Sequence, residues 1–226
     1  MDVEECIRTR RSIRKFLDVR IETDKISQIL EAGKMAPTAG NLQNQKIIIV
    51  TDEELKKKVA DACLQQYWIA TAPVILVIFS DNELQTMHYG KRGEMYAVQS
   101  CAAVAMNMIL MANSLGIASC WVGAFDDGAL KRELNIPDKF PPQIVLPLGY
   151  PDEKVPVPPR KSLYSHVFIE KYDNRIKDID AALGYWSGVT ARKAREAKKA
   201  VEKAVEKRTG KLSERIKGLI KAKRKK

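Results

Sequence analysis

The sequence predicts an α+β domain built on one central sheet, followed by a basic extension. Predicted helices and strands alternate without a regular strand–helix–strand period. The chain also has no GxGxxG or GxxxxGK[ST] motif, which argues against a dinucleotide-binding fold or a P-loop. Of its 226 residues, 1–170 carry a net charge of −1 and 171–226 a net charge of +12. The chain is therefore a near-neutral globular body with a basic tail.

Two short helices are expected before the first strand. Asp2 and Glu5 have the spacing of a capping box and predict a first helix that ends at a cluster of arginines. Thr23 or Asp24 can cap a second helix, which is expected to end near Gly33 because its apolar residues then stop.

Two apolar runs of strand length follow. Residues 47–50 and 73–79 are predicted to be buried strands, and Thr51 with Glu54 opens a helix between them. Residues 81–93 are polar. They are expected to form an exposed loop or lid, since connecting segments lie at the surface.

The second half of the domain starts with a long helix over residues 94–115 that is apolar nearly all round. Such a helix has no solvent face to spare and belongs in a domain core or a subunit interface. Residues 118–125 are expected to form a strand that runs into a glycine turn, where another group can approach the backbone closely. A short helix over 127–134 and strands over 143–150 and 167–169 complete the domain.

Composition excludes several classes of protein. No apolar run approaches the ~18–20 residues that span a membrane. The N-terminus has no basic region followed by an apolar one, so we expect no secretory signal and a cytoplasmic location. The four cysteines are far apart, no CxxC occurs, and the chain has two histidines. We therefore expect free thiols and no metal site.

The cluster of arginines is the densest charged feature of the body. Five cationic side chains lie between Arg8 and Lys15, around Ser12, and no acid occurs between Glu5 and Asp18. A phosphate needs several donors that stay charged, and arginine supplies planar, bidentate ones. The stretch therefore predicts either a phosphate site or an exposed basic turn.

The segment over residues 36–45 is dense in proline, glycine, threonine and carboxamides. Carboxamides both donate and accept hydrogen bonds, as recognition of a planar heterocycle with mixed polar edges requires. The alternative is an ordinary polar connector.

Four motifs in order resemble the nitroreductase family of FMN-dependent NAD(P)H oxidoreductases over residues 1–172. They are Arg-Arg-Ser-Ile-Arg (10–14), Ala-Pro-Thr-Ala-Gly-Asn-Leu-Gln (36–43), Cys-Trp-Val-Gly (120–123), and Leu-Gly-Tyr-Pro (148–151) leading to Pro-Arg-Lys (159–161). The resemblance implies a mostly antiparallel central sheet flanked by helices. It also implies an interlocked homodimer with FMN at the subunit interface.

The resemblance further implies three groups of FMN-binding residues. The phosphate and ribityl chain would be held by Arg10, Arg11, Ser12 and Arg14, with Arg160 and Lys161 closing from the other end of the chain. The flavin ring would be lined, from the partner subunit, by Pro37, Thr38, Ala39, Asn41 and Gln43. Backbone N–H groups would face the N5 and O4 edge of the flavin at Val122 and Gly123.

The implied chemistry is hydride transfer from NADH or NADPH to flavin N5, then reduction of a small nitroaromatic, quinone or similar acceptor. No catalytic side chain is required. The alternatives are a reductive dehalogenase or flavin-consuming enzyme, or a flavoprotein whose basic tail binds nucleic acid. Three side chains either shape the acceptor pocket or are ordinary packing and solvent-exposed residues: Trp68, Tyr89 and Arg92. Cys120 is expected to pack as a small residue, and His88 to face water.

The basic extension over residues 173–226 is expected to form two amphipathic helices, one before and one after Gly210. Three interpretations stay open. The helices pack on their own dimer, contact nucleic acid, or lie on an anionic membrane surface.

Overall fold

The computed structural model describes residues 1–175 and Lys198. The chain divides into two compact units, Met1–Pro158 and Pro159–Lys226. The predicted helices on either side of Gly210 lie outside the described residues. The predicted boundary between residues 172 and 173 stays a prediction.

Six helices and four strands make up the described fold. The helices are α1 Val3–Thr9, α2 Thr23–Lys34, α3 Glu53–Ala62, α4 Asn82–Tyr89, α5 Arg92–Ser114 and α6 Asp127–Leu134. The strands are β1 Gln45–Val50, β2 Val74–Ser80, β3 Ala118–Ser119 and β4 Pro142–Gly149. Short 3₁₀ turns lie at Ala39–Asn41, Tyr67–Thr71 and Leu163–Ser165.

The four strands form one antiparallel sheet in the order β1-β2-β4-β3. Ile47 pairs with Ile78, and Leu76 with Leu146, which fixes the register. β2 lies inside the sheet and is buried along its whole length. β1 lies at the edge, and Ile49 is 46% exposed. The prediction that residues 47–50 are all buried was therefore wrong, because an edge strand keeps part of its surface in water.

Helices cover both faces of the sheet because successive side chains of a strand point to opposite sides. Leu76 of β2 packs with Ile29 of α2 and Met108 of α5 in one core cluster. Val77 packs with Val59 of α3 and Leu130 of α6 in a second cluster on the other face. The observed α+β architecture confirms the predicted fold class.

The long helix α5 is confirmed as a core element. It is long and apolar enough to cross a membrane by length and composition, but it packs against α2 and the sheet as the core helix of a folded domain does. Its remaining face exposes the apolar side chains of Met95, Val98 and Met106. At its start, Gly93 allows close contact with α4, since a Cβ there would lie 2.5 Å from the Gln85 carbonyl carbon.

Two predicted elements were wrong. Residues 81–93 are not a loop, because the Asp81 carboxylate accepts the Leu84 N–H at 3.1 Å and starts α4. No strand forms over residues 167–169, where Phe168 makes only an isolated bridge with Arg175.

Three boundaries also differ from the prediction. The second helix begins after Glu22 with no side-chain cap, and the third is capped by Asp52 rather than Thr51. The strand predicted over 118–125 is reduced to two residues of β3 and a single bridge from Val122 to Val145.

Candidate functional site

The arginine stretch runs in an extended conformation beside β3 and the end of β4. Ser12 forms a parallel bridge with Ser119, and the Ile13 N–H donates to the Ser119 carbonyl at 3.1 Å. Phe16 pairs with Pro151. Ile13 and Phe16 are buried, so the sheet and two apolar anchors fix the backbone between them.

Because an extended chain alternates its side chains, Arg10, Ser12 and Arg14 are expected to share one side. All three influence the pKa of the Cys120 thiol. Burial raises the pKa of this thiol. The charge of Arg14 lowers it, as do, to a smaller extent, a hydrogen bond with Ser12 and the charge of Arg10. We call these three residues and Cys120 the arginine face. Cys120 is 2% exposed as a residue and the pKa of its thiol is raised, so it stays protonated and packs as a small residue.

Arg11 is directed differently from its neighbours. Its Nη1 donates to the carbonyl oxygens of Arg8 and Arg10, each at 2.7 Å. Its Nε–H is buried and has no acceptor among the described residues. Arg10, Arg11 and Lys154 line a surface cleft of about 350 Å³. Arg11 therefore adds positive charge to this cleft but is tied to its own backbone.

Ion pairing divides the cations of the stretch into two sets. The outer two are neutralised, Arg8 by Glu4 and Lys15 by Asp152, each at 2.8 Å. Within residues 1–175, no carboxylate lies within 4.0 Å of the guanidinium groups of Arg10, Arg11 and Arg14.

Glu153 is the acid that could have paired with the arginine face. Its carboxylate instead accepts the backbone N–H groups of Arg14 and Lys15. The Arg14 guanidinium lies over the Trp68 ring, 5.7 Å from its centroid. The fold therefore supports the backbone of the arginine face with an acid, and within residues 1–175 no carboxylate competes with an anion for its guanidinium groups.

The glycine turn adjoins the arginine face through Cys120. The prediction that the Val122 N–H is free for a ligand was wrong, because it donates to the Val145 carbonyl at 3.0 Å. The Gly123 N–H has no acceptor in the part of the chain that the structure describes. A Cβ at Gly123 would meet only Trp121 Nε1, at 3.6 Å, so the backbone is open to approach there.

The segment over residues 37–43 forms a compact exposed loop. The Thr38 hydroxyl accepts the Gln43 N–H at 3.1 Å, and the Thr38 carbonyl accepts the Asn41 N–H at 2.9 Å. Gly40, Asn41 and Gln43 have left-handed φ values of 61°, 54° and 48°. Pro37, Asn41 and Gln43 are exposed, so two carboxamides face outwards as the predicted heterocycle contact requires.

The loop and helix α1 contact different parts of α5. The Ala39 N–H donates to Ser100 Oγ at 3.3 Å. By contrast, Asn113 Nδ2 of α5 donates at 3.0 Å to the Cys6 carbonyl of α1, the helix that leads into Arg10. At 1.5 Å per residue, Ser100 and Asn113 are about 20 Å apart along the helix. The loop and the helix that leads into the arginine face are therefore anchored at separate positions along α5.

The remaining candidates lie in different surroundings. The Tyr89 ring stacks edge-on against Tyr96 at 5.1 Å, and its hydroxyl lies against Gly40 of the loop. Arg92 is exposed at the start of α5. His88 is exposed, and its Nδ1 lies 2.9 Å from the Leu84 carbonyl. Arg160 and Lys161, in the second unit, are exposed.

Sequence reasoning missed two groups of residues. One is Glu153, which fixes the backbone of the arginine face. The other is a set of buried polar side chains behind the loop: Asn44, Gln85 and Ser100. No local sequence signal distinguishes these from exposed polar residues, since their partners are distant in the chain.

Comparisons with known proteins identify the family to which this chain is similar. Residues 7–70 and 63–150 match the sequence profile described as the nitroreductase family. A protein of Archaeoglobus fulgidus, named an NADH dehydrogenase/NAD(P)H nitroreductase, is 38% identical over 160 residues, covering 67% of this chain and 89% of the relative. An NADPH-flavin oxidoreductase of Vibrio harveyi is 28% identical, covering 80% of this chain and 78% of the relative.

Solved structures give the same result. An FMN-dependent nitroreductase of Clostridium difficile superposes with a TM-score of 0.66 and 25% identity. The match covers 75% of this chain and 99% of that one. The likeness spans almost the whole of the neighbour and leaves about a quarter of this chain outside it.

Proposed function

The chain belongs to the nitroreductase family, and from this premise we propose that it is an FMN-dependent oxidoreductase using NADH or NADPH. The acceptor is a small nitroaromatic, quinone or similar conjugated compound. Relatives named as an NAD(P)H nitroreductase and an NADPH-flavin oxidoreductase support the reaction class. When bound, FMN supplies a ring that accepts hydride at N5 and passes electrons to the acceptor.

The observation that carries the proposal is the set of arginines without acidic partners. Phosphate binding requires charged donors that no carboxylate neutralises, and Arg10, Arg11 and Arg14 meet this condition in the described residues while Arg8 and Lys15 do not. The buried Arg11 Nε–H without an acceptor points the same way. These residues, with the Ser12 hydroxyl, fit the FMN phosphate and ribityl chain.

Other residues of the chain orient the ring and exclude water. The exposed carboxamides of Asn41 and Gln43 bind its polar edges, and Pro37, Thr38 and Ala39 pack along it. The Gly123 N–H donates to the N5 and O4 edge. No side chain is assigned a proton transfer, because hydride transfer needs none. Arg160 and Lys161 are proposed phosphate ligands on the resemblance alone.

The protein acts as a homodimer in this proposal. In one chain the loop is bonded to α5 at Ser100, and the helix α1 that leads into the arginine face is bonded to α5 at Asn113, about 20 Å further along the helix. A partner subunit that supplies the loop completes the site. The exposed apolar side chains of α1 and α5 provide an interface: Val3, Ile7, Met95, Val98 and Met106. Light scattering of the purified protein at micromolar concentration should give the mass of a dimer.

The decisive experiment is spectroscopic. The purified protein should be yellow, and anaerobic NADH or NADPH should bleach the flavin absorbance. Nitroaromatics or quinones should then restore it over repeated turnovers. A colourless protein that cannot be reconstituted with FMN contradicts the proposal. Loss of flavin during turnover, or halide release from a halogenated phenol, would instead favour a flavin-consuming enzyme or a reductive dehalogenase.

The basic tail favours a second candidate function. Residues 171–226 carry 19 Lys+Arg and 7 Asp+Glu, which attracts polyanions independently of sequence. We propose that this segment contacts nucleic acid in a cytoplasmic protein. The full chain and a variant ending at residue 173 should then differ in RNA binding at moderate salt. Equal binding, or none by the full chain, would remove this function and leave the oxidoreductase intact.

A further inference from the structure

The backbone N–H and carbonyl groups of Ala39 are each contacted by a buried side chain. Ser100 Oγ accepts the Ala39 N–H at 3.3 Å and donates to the Tyr96 carbonyl at 2.8 Å. Gln85 Nε2 lies 3.5 Å from the Ala39 carbonyl and donates to Asn44 Oδ1 at 3.1 Å. Gln85 is 0% exposed and Ser100 3% exposed, so water does not compete for these bonds.

The same side chains carry polar groups that the fold does not satisfy. Gln85 Oε1 and Asn44 Nδ2 are buried and have no partner among the described residues. Buried polar groups without partners destabilise a protein, and an apolar pair of the same shape would avoid this cost. Stability alone therefore does not account for two amides at this place. The contact of Gln85 Nε2 with the Ala39 carbonyl gives Gln85 a role in holding the loop, and Asn44 bonds to Gln85 from the other side.

The loop next to Ala39 needs such support. Asn41 and Gln43 have left-handed φ values, which side chains with a Cβ rarely adopt. Conformations of this kind persist where the surroundings over-determine them. Tyr89, two turns from the start of α4, adds a further contact, since its hydroxyl lies against Gly40.

We propose that Gln85 and Ser100 are positioning residues. They clamp the backbone N–H and carbonyl groups of Ala39 and so hold the loop over residues 37–43 in its ligand-binding conformation. This inference rests on the proposed function, because the ligand is the FMN ring. It assigns a purpose to Gln85 that neither its helix nor the sheet explains. The clamp acts through the backbone, so neither side chain touches the flavin.

The first test needs no flavin. Hydrogen exchange by mass spectrometry on the FMN-free chain reports the opening of the peptide over residues 36–45. Gln85→Met keeps about the same side-chain volume and removes the carboxamide, and Ser100→Ala removes one hydroxyl. In both variants the backbone amides of this peptide should exchange faster than in the wild type, and those of β2 should exchange at the wild-type rate. Gln143→Met is the matched control, since Gln143 bonds to Ser80 and Pro141 but not to the loop.

The second test uses FMN. If the clamped loop falls to about one tenth of the population, apparent FMN affinity falls about tenfold. The visible circular dichroism of bound flavin should change in Gln85→Met and Ser100→Ala, and remain as in the wild type in Gln143→Met. Should Gln85→Met not fold, Ser100→Ala alone decides both measurements.

The possible results separate the two proposals. Wild-type exchange in the loop peptide of the folded variants overturns the clamp, whatever happens to FMN. Faster exchange together with unchanged FMN affinity and dichroism also overturns it, because the loop then moves without consequence for the ligand. A wild-type chain that binds no FMN refutes the proposed function instead, and the exchange data still test the clamp.

Discussion

The most direct prediction concerns Arg14, whose guanidinium has no acidic partner in the described residues and lies over Trp68. Replacing it with alanine removes a charged donor from the arginine face. A hydrogen bond to a charged group contributes about 1.5–3 kcal/mol, which corresponds to roughly a 10–150-fold loss of FMN affinity. The assay is fluorescence titration of the FMN-free protein, since flavin emission changes on binding.

The matched control is Lys15→Ala. Lys15 is adjacent in the chain and also cationic, but its Nζ is paired with Asp152 at 2.8 Å. Exposed ion pairs contribute little, so this variant should bind FMN within about twofold of the wild type. Raising the salt concentration should weaken binding by the wild type more than by Arg14→Ala. Equal losses in the two variants, or none in Arg14→Ala, would refute the assignment of the phosphate site.

Three further predictions test the fold around the site. The Tyr150 hydroxyl, followed by other hydrogen bonds, lowers the pKa of Glu22 to about 2, so its stabilising contribution is present above about pH 4.5 and is lost as the pH falls towards 2; Glu22→Gln should flatten the fall of the urea midpoint over that range, and an unchanged profile contradicts this. Gly93→Ala places a Cβ 2.5 Å from the backbone of α4 and should lower stability by about 1–3 kcal/mol, while Gly128→Ala, at 3.3 Å from one side-chain oxygen, should be nearly neutral in thermal melts. Cys120 should resist alkylation in the native protein and react after unfolding, and rapid native labelling would show that the thiol is exposed.

The elements that the sequence predicted well are those whose signal is local. Residues 73–79 form an unbroken apolar run, and residues 94–115 an apolar helix, so their burial follows from their own side chains. These features need no knowledge of the rest of the chain.

The features that were missed depend on distant partners. The Asp81 cap of α4 is a local signal for a helix over part of residues 81–93, but nothing local shows that Gln85 bonds to Asn44 and becomes fully buried. The sequence does not show that the Val122 N–H is bonded, because its acceptor, the Val145 carbonyl, lies in another strand. Glu153 follows the same rule. Its role appears only when β4 brings it to the backbone of Arg14.

The separate positions along α5 that anchor the loop and α1 also have a consequence for dimers assembled from two different variant chains. If, as proposed, each site takes its arginine face from one chain and its loop from the other, a dimer of an Arg14→Ala chain with an Asn41→Ala chain contains one doubly altered site and one wild-type site. Two variants that bind flavin poorly on their own should therefore regain binding when unfolded and refolded as a mixture. Such complementation requires subunits that share their sites, and it would not occur in a protein whose chains each hold a complete one.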